Sequence, residues 1–246
     1  MSHPIRIGIG GWSYEPWRET FYPKEVKAKQ ELAYASSKVT AIEINSTYYR
    51  AQTPAVYARW AGETPDEFVF TLKAPRIIME RKNASDAVEA ALGFIDGGIL
   101  EMGEKLGAIN WQFRAGRTYD RDYMEAFLTG LPRERGEMRL RHAIEVRHDT
   151  FRKKEFVEQL RANNCALISA DDPDWPVKDV ETADFAYARL QQAQPDQENG
   201  YAPEELDSWA KTFKGWAKTR DVFGFFIAGA KERNPAAAQA LIKRLS

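Results

Sequence analysis

Apolar and polar positions repeat along the chain with two different periods, and the two periods take turns. Eight short segments rich in β-branched, aromatic and small residues, at 5–10, 41–46, 68–73, 106–113, 142–147, 166–171, 185–190 and 222–228, predict strands. Between them, stretches such as 84–102, 123–131, 152–163, 203–219 and 235–245 carry the three-to-four-residue spacing of amphipathic helices. Thr53-Pro54, Ala202-Pro203 and Asn234-Pro235 put a proline in the first helical turn, where its missing N–H has no partner to lose. Strand and helix alternating eight times imply parallel strands joined by crossover helices. An open doubly wound sheet uses the same alternation, but ordinarily with a glycine-rich dinucleotide loop after its first strand. Gly8-Ile9-Gly10-Gly11-Trp12 does not match that fingerprint. The pattern therefore predicts an α/β chain folded as a (β/α)8 TIM barrel, one domain over residues 1–246, the usual size for that fold. The polar stretch 191–201 reads as a mobile loop after the seventh strand.

Side chains of a barrel strand face the helices and the interior in turn. Assigning the apolar parity outward leaves a particular set facing in. Ile42 and Ile44 go out, so Glu43 and Asn45 go in; Phe68, Phe70 and Leu72 go out, leaving Val69, Thr71 and Lys73. The same rule turns in Gln112, Glu145 with Arg147, Ser169 with Asp171, and Tyr187 with Arg189, while Gly8 and Gly10 leave space at the centre. The polar members gather at the C-terminal ends of their strands, the end of this fold where chemistry is done. A closed internal ion-pair network is the competing reading, since Glu43, Glu145 and Asp171 balance Lys73, Arg147 and Arg189. Buried pairs add little net stability over apolar packing, which favours a functional role. Beyond the strand ends, loops add Trp12, Tyr14, Trp17, Tyr48, Tyr49, Arg50, Arg76, His148 and Trp175. The arginines would draw anions. Trp12, Tyr14 and Tyr48 would either stack on a sugar or base or close over the rim.

Composition narrows the classes further. With 43% hydrophobic and 29% charged residues, and a mean hydropathy of −0.55, the chain can fill a large core and stay in water. No apolar run approaches the ~20 residues that span a bilayer. The start, Met1-Ser2-His3-Pro4, runs straight into a strand-like segment, so no signal peptide is expected. A net charge of −1 lacks the basic footprint of a non-specific nucleic-acid binder. The single cysteine, Cys165, in an apolar setting, reads as a buried thiol in a reducing cytoplasm. Glu43, Glu145, Asp171 and His148 could offer Mg or Mn a mixed ligand set, but the interleaved cations oppose it, and no cofactor is predicted.

Several of these segments carry a family resemblance. Gly10-Gly11-Trp12-Ser13-Tyr14 with Trp17 and Phe21-Tyr22-Pro23 resembles the opening of the YecE-like family, a domain family of unknown function. Glu43-Ile44-Asn45-Ser46-Thr47-Tyr48-Tyr49, Phe70-Thr71-Leu72-Lys73-Ala74-Pro75-Arg76, Gly103-Glu104-Lys105-Leu106-Gly107 and Glu145-Val146-Arg147-His148 resemble it too. So do Ala170-Asp171, Thr182-Ala183-Asp184-Phe185 and Tyr187-Ala188-Arg189-Leu190. The resemblance implies a TIM barrel and brings no established activity. Two departures stand out. Gln191-Gln192 replaces the family's His-Gly, and Phe226-Ile227-Ala228 replaces a Phe-Asn-Asn segment that a histidine soon follows. That side of the mouth has lost polar groups.

The expectation is an enzyme for a small anionic substrate, phosphorylated or carboxylated. Lys73, Arg147 and Arg189 would bind or polarise it with help from Arg76. Glu43, Glu145, Lys73 and Asp171 are the catalytic candidates, with Glu43 or Glu145 as general acid or base. Asn45 and Gln112 would orient the substrate. A nucleic-acid-processing barrel and a catalytically inert ligand-binding barrel are the alternatives.

Overall fold

A computed structural model describes residues 2–172, 174–175 and 180–246. Eight parallel strands close into a barrel: β1 (Ile5–Gly10), β2 (Ala41–Ile44), β3 (Val69–Lys73), β4 (Leu106–Gln112), β7 (His142–Glu145), β8 (Ala166–Ala170), β9 (Phe185–Leu190) and β10 (Asp221–Phe226). The remaining strands, β5 (Glu134–Arg135) and β6 (Met138–Arg139), form a small antiparallel ribbon before β7. The barrel closes where β1 pairs with β10, Ile5 opposite Val222 and Ile9 opposite Phe226.

Two apolar layers explain why these strands sit as they do. The outer one joins Ile7, Ile9, Ile42, Ile44, Phe70, Leu72, Ile109, Trp111 and Ile144 to the surrounding helices. The helices of the described residues are α1 (Trp17–Thr20), α2 (Glu31–Ser36), α3 (Pro54–Gly62), α4 (Arg76–Met79), α5 (Ala84–Asp96), α6 (Arg121–Gly130), α7 (Lys154–Ala162), α8 (Pro203–Trp216) and α9 (Asn234–Leu245). The inner layer is lopsided. Ala41, Ala108, Ala143 and Ala166 come from one side, and Phe185, Tyr187, Phe223 and Phe225 fill the centre from β9 and β10. Large rings from two strands thus need small partners on the others, as close packing at fixed volume demands.

Three expectations change on contact with the structure. The helix expected over 84–102 ends at Asp96, and a 3-10 segment, Ile99–Lys105, follows. The break lies at Gly98, whose φ of +128° no helix can continue and where a Cβ would stand 2.8 Å from Cγ of Pro54. Gly8 leaves no void: its missing Cβ lets β1 close against the Ala41 carbonyl of β2. The 191–201 loop is tied down, with Ala193 and Tyr201 buried and the amide of Gln194 donating to the Gly200 carbonyl at 2.6 Å.

His142 shows how the outer layer handles a titratable group. Its Nδ1 accepts from Trp111 Nε1 at 3.0 Å and its Nε2 donates to the Pro132 carbonyl at 2.7 Å. Only the neutral ring can do both, and burial pushes its pKa down to about 4. The unfolded chain takes up this proton near pH 6.5 while the folded one does not. Stability is therefore expected to fall by about 1.4 kcal/mol per pH unit as pH drops from 6.5 towards 4.5. Urea unfolding of the wild type and His142→Gln across that window checks this: the variant should lose the slope, and equal slopes would rule His142 out as the cause.

Candidate functional site

Five of the six predicted charges meet inside the C-terminal end of the barrel. Arg189 on β9 lies at the centre, 2% exposed. Its Nη1 donates to Glu145 Oε2 at 2.7 Å and its Nη2 to Glu43 Oε1 at 3.0 Å, so one guanidinium spans carboxylates from β2 and β7. Tyr187, two residues earlier on the same inward face, donates its hydroxyl to Glu43 Oε2 at 2.6 Å and pairs with Thr71 Oγ1 at 2.8 Å. Arg147, just past β7, reaches Glu145 Oε1 with Nε at 3.0 Å and Nη2 at 2.7 Å. Gln112 donates to the same oxygen. Asn110 touches both carboxylates, at 3.4 Å to Glu43 and 3.3 Å to Glu145.

The electrostatics follow from who is paired. Burial alone would raise the Glu145 pKa, but Arg189, Arg147 and Lys73 outweigh it and hold the carboxyl down at about 2. Glu145 is therefore ionised throughout the neutral range. Lys73, the last residue of β3, is half-buried and lies over the Tyr48 ring, 4.2 Å from its centroid. The ion pairs of Glu43 and Glu145 go to the arginines, so among the described residues Lys73 has no carboxylate partner. Burial, then the Arg189 charge, lower its pKa to about 8, against the opposing pull of Glu43 and Glu145. The outlet of the cluster to solvent is Arg147, whose side chain is 38% exposed and lies 5.6 Å from the Trp175 ring centroid. Within the cluster, Arg189 Nε and Asn110 Oδ1 are buried with no hydrogen-bond partner. Such groups cost free energy wherever nothing contacts them.

Asp171 departs from this gathering. Its carboxylate accepts from the backbone N–H groups of Gln191 at 2.7 Å and Gln192 at 3.2 Å, and from the Tyr201 hydroxyl at 2.6 Å. With Ser169 it lines a groove of about 420 Å³ against Glu205, Trp209 and Thr212 of α8. The parity of β8 is thus the reverse of that expected: Ala166 and Ile168 join the interior, while Ser169 and Asp171 face the helix layer. Strand β8 offers weak contrast, because the adjacent Leu167 and Ile168 give each face one large apolar residue, and Ile168 packs beside the central rings.

The loop residues divide as well. Tyr48 belongs to the mouth, beside Lys73. Trp12 packs edge-on against Trp60 at 5.1 Å and Phe70 at 6.4 Å, in the helix-facing layer. Tyr14 packs against Trp17 and takes the Lys231 ammonium over its ring at 4.3 Å. Asn45 is half-buried at the end of β2, its Nδ2 3.4 Å from the Glu43 carbonyl, and Arg76 is exposed at the start of α4 (Arg76–Met79). His148 turns to Thr150, whose N–H donates to its Nδ1 at 3.2 Å. Glu43, Glu145, Asp171 and His148 therefore do not converge, and among the described residues no three His, Cys, Asp or Glu side chains group as metal ligands. The residue overlooked in the sequence is Asn110. It shares the inward parity of Gln112 two positions on, so the signal was present.

An eight-stranded parallel barrel with a charged cluster inside its C-terminal mouth is the layout of a TIM-barrel protein. A family model described as "Protein of unknown function DUF72" matches residues 6–246, and the chain belongs to that family. UPF0759 protein YunF of Bacillus subtilis is 30% identical over 70 residues, a stretch covering 28% of this chain and 24% of that protein. The match thus spans about a quarter of that relative. A crystal structure of a DUF72 family protein from Thermotoga maritima matches with a TM-score of 0.76 and 24% identity, over 98% of this chain and 97% of that one. A DUF72 family protein from Enterococcus faecalis matches with a TM-score of 0.71 and 17% identity, over 99% of each chain. These likenesses carry the fold. Among the described residues no helix is long and apolar enough to cross a membrane.

Proposed function

We propose that this chain is an enzyme acting on a small anionic substrate, phosphorylated or carboxylated, at the C-terminal mouth of its barrel. One observation carries the reading. With Asp171 turned away, three cations face two carboxylates, and both carboxylates are already engaged by the arginines. An internal network built for stability would balance its charges; this one keeps a cation in excess where the barrel opens. Arg147 is the docking group, being paired on one side and open to solvent on the other. Gln112 and Asn45 orient the substrate, and Arg76 adds an outer positive charge. Glu145, held ionised, fixes the two arginines and is no proton donor near neutrality. Proton transfer falls to Lys73 and Glu43.

The family placement supports a finer reading. The motifs at 10–14, 43–49 and 70–76 resemble the YecE-like family and support reading the chain as a YecE-like member of DUF72. A reducing, cytoplasmic setting fits Cys165, whose thiol is buried with its pKa pushed up to about 12. The reading needs no cofactor, because Arg147 and Lys73 bring the positive charge a metal ion would otherwise supply. A nucleic-acid substrate has less support. The loops leaving the mouth carry Arg50, Arg76 and Arg114 but also Glu80, Asp149 and Asp174, which breaks up any basic track for a phosphate backbone.

Arg147→Met tests the docking role. Methionine keeps an unbranched stem, and Arg189 still holds Glu145, so the thermal midpoint should shift little. A panel of small carboxylates and phosphate esters should raise the wild-type midpoint with at least one member, and the variant should lose that response. A panel with no effect on the wild type, together with a collapse of the variant's midpoint, would return the cluster to a purely structural role.

A further inference from the structure

Lys73 has no counterpart elsewhere in the cluster. Every carboxylate oxygen near it is spoken for: Glu43 by Arg189 and Tyr187, Glu145 by Arg189, Arg147 and Gln112. Its backbone is fixed, since the Ala74 N–H donates to the Asn110 carbonyl at 2.9 Å and Thr47 Oγ1 donates to the Lys73 carbonyl at 2.7 Å. An amine intended only to attract anions gains from a carboxylate neighbour that keeps it charged. One whose neighbouring carboxylates are already paired with two arginines, and which is partly out of water, is prepared to lose its proton.

We propose that Lys73 is a carbonyl-reactive amine, which forms an imine with the aldehyde or ketone carbon of an oxo acid whose carboxylate or phosphate docks at Arg147. The proposal rests on the reading of the mouth as a small-anion site and names the substrate class of that site. The chemistry is closed without a further reagent. The neutral Nζ lone pair attacks the carbonyl carbon, and the C–O π pair moves to oxygen, which takes up a proton. Nitrogen releases a proton, and the carbinolamine so formed then expels its hydroxyl, protonated, as water. The product is an iminium, C=N⁺, and the protons exchange with solvent at the open mouth. Tyr48 suits both ends of the step, because the ring face under the ammonium also attracts the iminium cation. With its pKa near 8, about a tenth of Lys73 is unprotonated at pH 7, far more than an ordinary lysine offers.

Reductive trapping tests this. The full chain is incubated at pH 7 with sodium cyanoborohydride and either glyoxylate, an anionic aldehyde, or propionaldehyde, a neutral one, and labelled lysines are mapped by peptide mass spectrometry. Hydride adds to the iminium carbon and leaves a stable secondary amine. Lys73 should be labelled by glyoxylate at least tenfold faster than any exposed lysine. Arg147→Met removes one of the charges that lower the Lys73 pKa and so should slow both aldehydes somewhat, but glyoxylate labelling at that position should fall about tenfold further than propionaldehyde labelling. Lys73→Met should remain folded, with a thermal midpoint at or above wild type, because it removes an amine whose burial opposes its charge. Lys73 labelled no faster than exposed lysines by either aldehyde overturns the imine. If glyoxylate still raises the wild-type midpoint through Arg147 in that case, the anion site survives it. Fast labelling of Lys73 by both aldehydes, slowed by Arg147→Met no further for glyoxylate than for propionaldehyde, overturns the oxo-acid assignment together with the anion-site reading.

Discussion

Arg189→Met is expected to cost about 3–5 kcal/mol of stability, a large share of the ~5–15 kcal/mol that holds a typical domain folded. The residue is 2% exposed and is the cation shared by Glu43 and Glu145, both fully buried. Methionine fills much of the space but leaves two carboxylates in the interior without it. Arg147 still reaches Glu145, whereas Glu43 keeps only Tyr187 and the long contact from Asn110. The imbalance can be relieved at its source. Adding Glu43→Gln to Arg189→Met should recover a substantial part of the loss, because a neutral amide in that position no longer carries a buried charge. Urea unfolding of the two variants checks both statements. A loss below ~1 kcal/mol in Arg189→Met would mean that solvent reaches the carboxylates, as at an exposed pair.

Gly8→Ala should be comparably severe, although it adds one methyl group. A Cβ at Gly8 would lie 1.8 Å from the Ala41 carbonyl oxygen and 2.5 Å from its carbon. Both are backbone atoms of the paired strand, Gly8 standing opposite Ala41 in the β1–β2 register. No rotamer relieves that overlap, so β1 must separate from β2, and the expected loss exceeds the ~3 kcal/mol at the upper end of ordinary overpacking. Gly93→Ala is the control: it lies exposed within α5 with nothing within 4 Å of an added Cβ. It should stabilise the chain by ~0.5–1 kcal/mol, as removing glycine from a helix interior does. Comparable midpoints for the two variants would contradict the close strand approach.

These two cases also mark what could be read from the sequence. The barrel was legible because its alternation repeats eight times, and Glu43, Lys73, Gln112, Glu145 and Arg189 could be oriented because each has a large apolar residue on at least one side in the strand. Asp171 could not, since β8 puts one large apolar residue on each parity, Leu167 beside Ile168, and the parity rule had nothing to choose by. The purpose of Gly8 was equally hidden: a sequence shows that a side chain is absent, but whether the vacated volume becomes cavity or contact depends on the neighbouring strand. Asn110 was missed for a different reason. Its amide serves two carboxylates 102 positions apart in the chain, a relation only the closed barrel creates.

That closure has a consequence for how the molecule comes into being. Strand β1 sits between β2 and β10, and its partner Val222 lies 217 residues beyond Ile5. A ribosome delivering ~5–20 residues per second leaves the outer edge of β1 unpaired for roughly 10–40 s before β10 emerges. An unpaired parallel edge is a template for other chains, and here it is shielded only by what the nascent chain can fold meanwhile. The Arg189 bridge belongs to the same late stage, because β9 follows six of the other seven barrel strands out of the ribosome. Until it arrives, Glu43 lacks both of its short hydrogen bonds, those from Arg189 and Tyr187. The charged cluster therefore acts in biogenesis as a latch that engages only once the ring is almost complete, and chaperone demand in the cell should track the last quarter of the chain.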